Sequence, residues 1–253
     1  MDPQLRFSET VDNYIRYRPG YPKAILELMA EEMGLEESAV IADIGSGTGK
    51  LTQLFLDEDH LVYGVEPNRE MRRAAEDLLV EYDNFSSVSG SAEQTTLDNQ
   101  SVDFVVAGQA YHWFEAAAFR KECLRLLPTE GWAVIVWNDR EDEHSEFMKA
   151  YEAFLQKYST DYKEIDLRRI DQKALQVLYA KSPIRHAAFN NQQLFDWEGL
   201  KGRYLSCSYA LKQDHKDYEE ALQRLQQIFE QYAEENQVIM KYKTSVYYGQ
   251  PHA

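Results

Sequence analysis

The amino-acid sequence predicts an α/β fold with a doubly wound, mostly parallel sheet, an antiparallel last strand and an inserted helical cap. Three observations support this prediction. Short, nearly continuous apolar runs alternate in the first half of the chain with segments of helical periodicity. A glycine-rich stretch follows the first run, where a strand would turn into a helix. Near the C-terminus every second residue from Val238 to Tyr248 is apolar or aromatic except Thr244, which is typical of a strand with one buried face.

Strand and helix candidates alternate through the first half of the 253-residue chain. Five runs have the apolar character of strands buried on both faces, namely 39–42, 61–65, 85–88, 102–107 and 132–137. Helical spacing lies between them, at Leu51, Leu54 and Phe55, at Met71, Ala75, Leu78 and Leu79, and at Phe119, Cys123, Leu124 and Leu127. Asn68 is expected to cap the second of these helices, and Pro128 is expected to end the third.

The second half of the chain has a different texture. Residues 141–180 are charged and rich in tyrosine, with apolar and aromatic residues at helical spacing, which predicts helices laid over the sheet edge. Further helices are expected over 197–205 and 218–233, and a closing strand over 238–248. We therefore divide the chain into a ligand-binding core with an N-terminal arm (1–138), a helical cap (139–185) and a C-terminal part that completes the sheet (186–253).

Composition narrows the classes of function. Lysine and arginine total 27 and aspartate and glutamate total 43, giving a net charge of −16 that repels phosphate backbones and disfavours nucleic acid as a partner. No run is long and apolar enough to span a bilayer, and the first ten residues lack the apolar core of a signal peptide, so a cytoplasmic protein without membrane contact is expected. The histidines show no metal-ligand spacing, and we expect no metal site.

The glycine-rich loop, residues 42–49, indicates the kind of ligand. A dinucleotide-binding turn would place a third glycine at position 50, where Lys50 stands. Asp43, just ahead of the first glycine, would attract a cationic amine and repel a diphosphate. Glu66 ends the second apolar run, where a carboxylate can accept hydrogen bonds from both hydroxyls of a ribose. A ribose, a cationic amine and no required diphosphate describe S-adenosylmethionine better than NAD.

The same residues carry a family resemblance over nearly the whole chain. The matching segments in the first half are Phe7 and Tyr14 with 18–22, the glycine loop 42–49, and the stretches 65–68, 90–93 and 108–114. In the C-terminal half they are 197–200 with Arg203, Ser206 and 208–209. With these motifs the chain resembles class I S-adenosylmethionine-dependent methyltransferases, in the small-molecule branch near trans-aconitate methyltransferase and the ubiquinone-biosynthesis-like enzymes. The resemblance implies a seven-stranded Rossmann-like sheet. Ser91 departs from the pattern, since an aspartate is more usual at that position of the family.

Carried over residue by residue, the resemblance implies a donor-binding and a catalytic set. The donor-binding residues are expected to be Tyr14, Arg18, Asp43, Gly45, Ser46, Gly47, Gly49, Glu66, Pro67, Met71, Ser91, Ala92, Glu93, Gln109 and Ala110. His112 and Tyr111 are the expected contacts of the methyl acceptor, with His112 as a general base or an orienting donor. The alternative is that residues 111–114 form an aromatic plug that closes the adenosine pocket, and that His112 only makes a hydrogen bond with a backbone group.

Four arginines leave a choice open. For Arg18 the alternative to binding the methionine carboxylate is a surface turn. Arg168 and Arg169 could attract an anionic substrate, although a solvated helix face is the favoured interpretation, and Arg203 with Tyr204 is interpreted in the same way.

The predicted function is direct in-line methyl transfer from S-adenosylmethionine to a small-molecule acceptor. Residues 108–111 lack the Asp/Asn-Pro-Pro-aromatic tetrapeptide usual among enzymes that methylate nucleic-acid amino groups. Two alternatives remain at this point. One is a catalytically silent relative that keeps the fold as a binding or partner protein. The other is a nucleotide-dependent oxidoreductase, against which Lys50 in the glycine turn counts.

Overall fold

A computed structural model describes residues 15–160, 162 and 172–252 of the protein. Its strands are β1 (Val40–Ile44), β2 (Leu61–Val65), β3 (Phe85–Val88), β4 (Phe104–Gly108), β5 (Trp132–Arg140), β6 (Arg185–Phe195) and β7 (Val238–Gly249). Its α-helices are α1 (Ala24–Met33), α2 (Lys50–Leu56), α3 (Arg69–Leu78), α4 (Ala116–Leu126), α5 (Glu146–Lys157), α6 (Gln172–Tyr179), α7 (Trp197–Leu205) and α8 (Tyr218–Tyr232). Phe7, Tyr14, Arg168 and Arg169 lie outside the described residues.

The seven strands form one sheet in the order β3-β2-β1-β4-β5-β7-β6. Strands β1 to β5 pair in parallel, and β7 is antiparallel to both of its neighbours, β5 and β6. The predicted mostly parallel sheet with an antiparallel last strand is therefore confirmed. Because the strand order reverses between β1 and β4, their carboxyl ends flank the crevice in which open α/β sheets bind ligands.

Side chains of the central strands alternate between two apolar layers, one on each face of the sheet. Ile41 of β1 faces α1 and α2, whereas Ala42 and Ile44 face α4 and α6. All three side chains are fully buried, as the unbroken apolar run of β1 requires. The predicted cap of α3 is present, because the Asn68 side chain accepts a hydrogen bond from the Met71 amide.

A third apolar cluster lies beyond the carboxyl end of β5 and around the amino end of β7, and we call it the C-terminal aromatic cluster. It joins α5, α7 and α8 to the ends of β6 and β7, and its buried aromatic members are Phe147, Tyr151, Phe154, Tyr158, Phe195, Tyr204, Tyr209, Phe229 and Tyr242. The other helix of segment 139–185, α6, instead packs against α4 on the sheet. The two helices of this segment therefore serve different cores, and the division into three domains stays a prediction.

Strand β6 has no counterpart among the individual elements expected from the sequence. It lies at the edge of the sheet, and its residues alternate between half-buried and exposed positions until Phe195. An edge strand with polar residues such as Asn190 and Gln192 lacks the apolar run by which the central strands were found. In the part of the chain that is described, no helix has the length and apolar character of a membrane span.

Candidate functional site

Three glycines shape the turn between β1 and α2. Gly45, Gly47 and Gly49 have φ values of 69°, 58° and 84°, in the left-handed region that side chains disfavour. A Cβ atom at Gly45 would lie 2.7 Å from the Cβ atom of Ala110, so the loop after β4 can pack against the turn only where there is no side chain. At Gly47 an added Cβ would meet no atom within 4 Å, so this side of the turn borders open space.

Asp43 stands at the end of β1 directly beneath the turn. It is 1% exposed, and its Oδ2 atom accepts a hydrogen bond of 2.7 Å from the Thr52 hydroxyl. Its Oδ1 atom is buried and has no hydrogen-bond partner among the described residues, and the same is true of the Thr48 hydroxyl. Burial raises the pKa of Asp43 to about 7, and the nearby charge of Glu66 adds to this effect while the bonds from Thr52 oppose it.

Glu66 joins the end of β2 to the glycine turn. One carboxylate oxygen accepts a hydrogen bond of 3.0 Å from the Gly47 amide, and the other accepts one of 2.8 Å from the Asn68 amide. The side chain is 8% exposed, and burial raises its pKa although both amides act in the opposite direction. The carboxylate therefore lies in the crevice, between the turn and the start of α3, and not in bulk water. Pro67 and the buried Met71 follow it.

The loop after β3 provides a third wall. Ser91 and Gln94 exchange backbone hydrogen bonds, and Ala92 is buried in the same apolar layer as Val65 of β2. The Glu93 side chain accepts a hydrogen bond from the Glu115 amide at the start of α4. Ser91, Ala92 and Glu93 thus follow the carboxyl end of β3, beside β2, and their contact with a donor stays a prediction.

Sequence reasoning missed the anchor of this loop on α4. Oε1 of Glu122 accepts hydrogen bonds from both the amide and the hydroxyl of Thr95, at 2.9 and 2.6 Å. Arg125 closes the anchor with bonds to both oxygens of Glu122, at 2.7 and 2.9 Å. Burial raises the pKa of Glu122, but the bonds from Arg125 and Thr95 outweigh it and bring the pKa to about 2.

The loop after β4 begins with a strained residue. Gln109 has a φ of 56°, which is uncommon for a residue with a side chain, and its Oε1 atom accepts a hydrogen bond of 2.7 Å from the Asn138 amide. Asn138 is 6% exposed and ends the buried part of β5. Its side chain accepts a bond from the Thr244 hydroxyl and donates one to the Gly20 carbonyl. Asn138 thus connects the carboxyl ends of β4 and β5 and the middle of β7 to the N-terminal arm. No sequence motif indicated these hydrogen bonds.

Tyr111 and His112 occupy different environments in the short 3₁₀ turn that follows. Tyr111 is 3% exposed and its hydroxyl donates a hydrogen bond of 2.6 Å to the Ala174 carbonyl of α6, which is a packing role. The exposed His112 ring makes an edge contact with the buried Trp137 ring of β5, at a centroid distance of 5.1 Å. A contact of either residue with an acceptor stays a prediction, and the structure favours His112 over Tyr111 for it.

The N-terminal arm, residues 15–21, crosses the sheet near the carboxyl ends of β4, β5 and β6. Arg18 donates a hydrogen bond of 3.1 Å to the Ser206 carbonyl at the end of α7, and Tyr17 packs directly on Gly202. At the other end of the arm, the Tyr21 hydroxyl lies against Gly108 of β4. The structure therefore places Arg18 next to α7, and a contact with the methionine carboxylate stays a prediction.

Part of the amino-acid sequence is similar to a known domain family. Residues 42–135 match the model of a methyltransferase domain, and this stretch contains the glycine turn, Glu66, the loop after β3 and the Gln109–His112 loop. Over residues 42–135 the chain is therefore similar to a methyltransferase domain. The resemblance seen in the sequence is thereby confirmed at the level of the class, and the branch near trans-aconitate methyltransferase stays a prediction.

Curated relatives of the methyltransferase domain agree. An uncharacterized methyltransferase-like protein of Schizosaccharomyces pombe is 32% identical over 137 residues, which are 54% of this chain and 52% of that protein. An uncharacterized methyltransferase of Mycobacterium tuberculosis is 34% identical over 144 residues, which are 56% of this chain and 55% of that protein. The chain thus spans about half the length of the curated relatives it matches.

Solved structures share the fold of the whole described chain. A protein of Anaeromyxobacter dehalogenans, whose proposed class is type II methyltransferase, superposes with a TM-score of 0.66 at 17% identity and covers 93% of this chain and 98% of its own. Geranyl diphosphate methyltransferase, solved in complex with S-adenosylmethionine, superposes with a TM-score of 0.51 at 11% identity, over 90% and 85% of the two chains. At these identities the likeness concerns the fold alone.

One interpretation of the sequence is wrong. Arg203 and Tyr204 were expected on a solvated helix face, but they are only 5% and 0% exposed. Both side chains point from α7 into the C-terminal aromatic cluster, where Arg203 bonds to the Tyr242 hydroxyl and the Tyr204 ring packs on Phe154. Helical spacing alone did not reveal this, because α7 is covered on one side by the sheet ends and on the other by the N-terminal arm.

Proposed function

We propose that this protein is an S-adenosylmethionine-dependent methyltransferase that acts on a small molecule by direct in-line transfer. The observation that carries the proposal is the unpartnered Oδ1 atom of Asp43, fully buried beneath the glycine turn. A buried carboxylate oxygen without a donor costs free energy unless a ligand supplies one. The match of the methyltransferase domain to residues 42–135 and the carboxylate of Glu66 beside the turn support the same ligand.

The residues of the crevice suit the parts of S-adenosylmethionine. The cationic amino group would be held by Asp43, and the ribose hydroxyls by Glu66 at the end of β2. The open side of Gly47 leaves room for a ligand to approach the backbone, and the apolar Ala92 and Met71 suit an adenine ring. A structural neighbour solved with this cofactor supports the choice of ligand.

The protein's part in catalysis is positioning. The bound cofactor supplies a methyl group that its positively charged sulfur has already activated. The chain must hold the acceptor in line with that methyl group and exclude water. The anchored Gln109 and the N-terminal arm, which is fixed by Asn138, border the space in which this happens. His112 is the group available for orienting an acceptor or removing its proton.

A small acceptor suits the surroundings of the crevice better than a macromolecule. The net charge of −16 disfavours nucleic acid, and the arm with the C-terminal aromatic cluster covers the ends of β5 to β7. Covers of this kind commonly open and close during turnover. The amide hydrogen bonds from Asn138 and Asn191 to the Gly20 carbonyl are the contacts that opening of the arm would break.

Calorimetric titration with S-adenosylmethionine tests the proposal. The wild type is expected to bind with measurable heat, and Glu66→Gln is expected to bind about tenfold more weakly, because a neutral amide accepts weaker hydrogen bonds from the ribose. Glu81→Gln, at an exposed position after α3, is the matched control and should bind like the wild type. Absence of heat with the wild type, or equal affinity in Glu66→Gln, would overturn the assignment.

Activity is tested separately, with radiolabelled S-adenosylmethionine and a panel of small carboxylates, amines and phenols. Label transfer to one class by the wild type, lost in Glu66→Gln and kept in Glu81→Gln, is the expected result. Binding without transfer to any acceptor would show that the protein is a catalytically silent relative of the family, contrary to the proposal.

A further inference from the structure

Two arginines are buried in or beside the C-terminal aromatic cluster, and only one has carboxylate partners. Arg140, at the end of β5, pairs with Asp142 and Glu152. Arg203 of α7 donates hydrogen bonds to the Tyr242 hydroxyl at 3.3 Å and to the Cys207 sulfur at 3.0 Å. Among the described residues it has no carboxylate partner. Burying a charge without a counter-ion is destabilising, so Arg203 lowers the stability of the fold unless a ligand supplies the opposite charge.

A second polar group in the same cluster lacks a partner. Tyr151 of α5 is 0% exposed, and its hydroxyl has no hydrogen-bond partner among the described residues. Its ring lies under the Arg140 guanidinium, 5.3 Å from the ring centroid. Burial raises the pKa of Tyr151 well above its usual value, whereas the nearby charge of Arg203 acts in the opposite direction. The hydroxyl is therefore protonated, and it lies in the same aromatic cluster as Tyr242, which accepts the hydrogen bond from Arg203.

This cluster lies at the ligand-binding edge of the sheet. Arg140 pairs with Tyr242 across β5 and β7, two residues beyond the Asn138 that anchors Gln109. The Tyr242 hydroxyl, which accepts the bond from Arg203, donates to the Gln193 side chain at 2.9 Å. The arginine is thus connected through two hydrogen bonds to Gln193 on the edge strand β6.

A cavity reaches the same point from outside. It has a volume of about 410 Å³ and is lined by Arg16 and Tyr17 of the arm, by Gln193 and Phe195 of β6, and by Gly199 of α7. Such a volume is within the range of sites for small ligands. Since Gln193 both lines the cavity and bonds to Tyr242, the chain of hydrogen bonds that begins at Arg203 ends at the wall of this cavity.

We propose that Arg203 and Tyr151 form a binding site for a carboxylate or another oxyanion of the methyl acceptor, which makes the acceptor a small anion. The proposal rests on the function proposed above and names its substrate class. An oxyanion would supply the negative charge that Arg203 lacks and the acceptor atom that the Tyr151 hydroxyl lacks. A guanidinium with a neighbouring hydroxyl donor suits such a group, because charge-assisted hydrogen bonds are the strong ones.

Thermal unfolding with small probes tests this site without knowledge of the true acceptor. Succinate and inorganic phosphate are titrated against the neutral succinamide and against sodium chloride at equal ionic strength. Succinate is expected to raise the Tm of the wild type saturably, and succinamide is not. Phosphate in place of succinate would identify another oxyanion as the preferred group.

Two variants and a control assign the effect to the site. Tyr151→Phe removes only an unpartnered oxygen, so it should be at least as stable as the wild type, yet its half-saturation concentration should rise about 3- to 10-fold. Arg203→Met should abolish the saturable response while remaining folded, because apolar replacement of a buried charge is often neutral or stabilising. Arg224→Met, on the exposed face of α8, should respond like the wild type.

The outcomes separate this site from the cofactor site. Wild-type half-saturation in both Tyr151→Phe and Arg203→Met, or equal effects of the oxyanions and succinamide, would overturn the proposal. Titration of the same samples with S-adenosylmethionine should give wild-type affinity in both variants. If S-adenosylmethionine fails to bind while the oxyanion response still depends on Arg203, the proposed function fails and the oxyanion site stands. If only the oxyanion response is missing, the proposed function stands and this inference fails.

Discussion

Asp43 and Glu66 are two carboxylates that folding removes from water at the ends of neighbouring parallel strands. Their surroundings differ, since both oxygens of Glu66 accept hydrogen bonds from backbone amides, whereas one oxygen of Asp43 has no donor among the described residues. Desolvation raises the pKa of both groups, and for Asp43 it prevails over the bond from Thr52. Asp43 is therefore the residue whose ionisation should depend most on whether a cation is bound beside it.

Donor binding should depend on pH through Asp43. With a pKa of about 7, most of this carboxyl is protonated at pH 6, and a cationic amine binds only after the proton has left. The affinity for S-adenosylmethionine should therefore be about eightfold weaker near pH 6 than near pH 7.5. Asp43→Asn should bind weakly at both values, and Asp77→Asn, at an exposed position of α3, should keep the wild-type profile. Calorimetry at the two pH values measures both, and a flat wild-type profile would refute the role of Asp43.

The stability of the protein without a ligand should depend on pH in the opposite direction from its affinity for the donor. Because folding raises the pKa of Asp43 from 3.8 to about 7, the native state holds more protons between these values than the unfolded state does. The contribution of Asp43 to stability is thus complete below pH 4 and is lost as the pH rises through 7. Compared with the wild type, Asp43→Asn should gain Tm towards pH 7.5.

At the level of secondary-structure elements, the loop after β3 depends on α4. Three hydrogen bonds converge on one oxygen of Glu122, two from Thr95 and one from Arg125. The Arg125 guanidinium also donates to the Leu97 carbonyl, so the helix holds the loop at several points. Ala92, beside the end of β2, keeps its place because this anchor fixes the loop that carries it.

Removing the anchor should reduce stability in a pH-dependent way. The pKa of Glu122 is lowered from 4.5 to about 2, so its contribution is complete above pH 4.5 and is lost as the pH falls through 2. Glu122→Gln should therefore lower the urea midpoint at pH 7 and lower it less at pH 3, with Glu81→Gln as the control. Urea titrations at the two pH values measure this difference. Equal losses at both would mean that the charge of Glu122 is not what holds the loop.

For the whole molecule, the sequence predicted the central strands and the glycine turn and missed the edge strand β6. The runs of β1, β2, β4 and β5 stand out because both faces of these strands are buried, and the glycines of the turn stand out because φ is positive there. Strand β6 was missed, since one neighbour and a solvated face require no apolar run. The positions of Asp43 and Glu66 at the ends of β1 and β2 were predicted correctly because strand ends are recognisable in the sequence, and their binding of a ligand stays a prediction.

Contacts between distant segments could not be predicted. The bonds that Asn138 makes with Thr244 and Gly20, and the burial of Arg203 against Tyr242 of β7, depend on how the last strands return to the sheet. No local pattern encodes such a return, because register and crossing are set by the packing of the complete sheet. The arrangement that covers the crevice is therefore visible only in the folded molecule.

The structure of the protein crystallised with S-adenosylhomocysteine is the most direct measurement. Density for the ligand is expected in the crevice between β1 and β4, with its amino group bonded to Oδ1 of Asp43, its ribose hydroxyls on Glu66 and its chain along the open side of Gly47. Density elsewhere, or an empty crevice at a saturating concentration of the ligand, would mean that the glycine turn has another purpose.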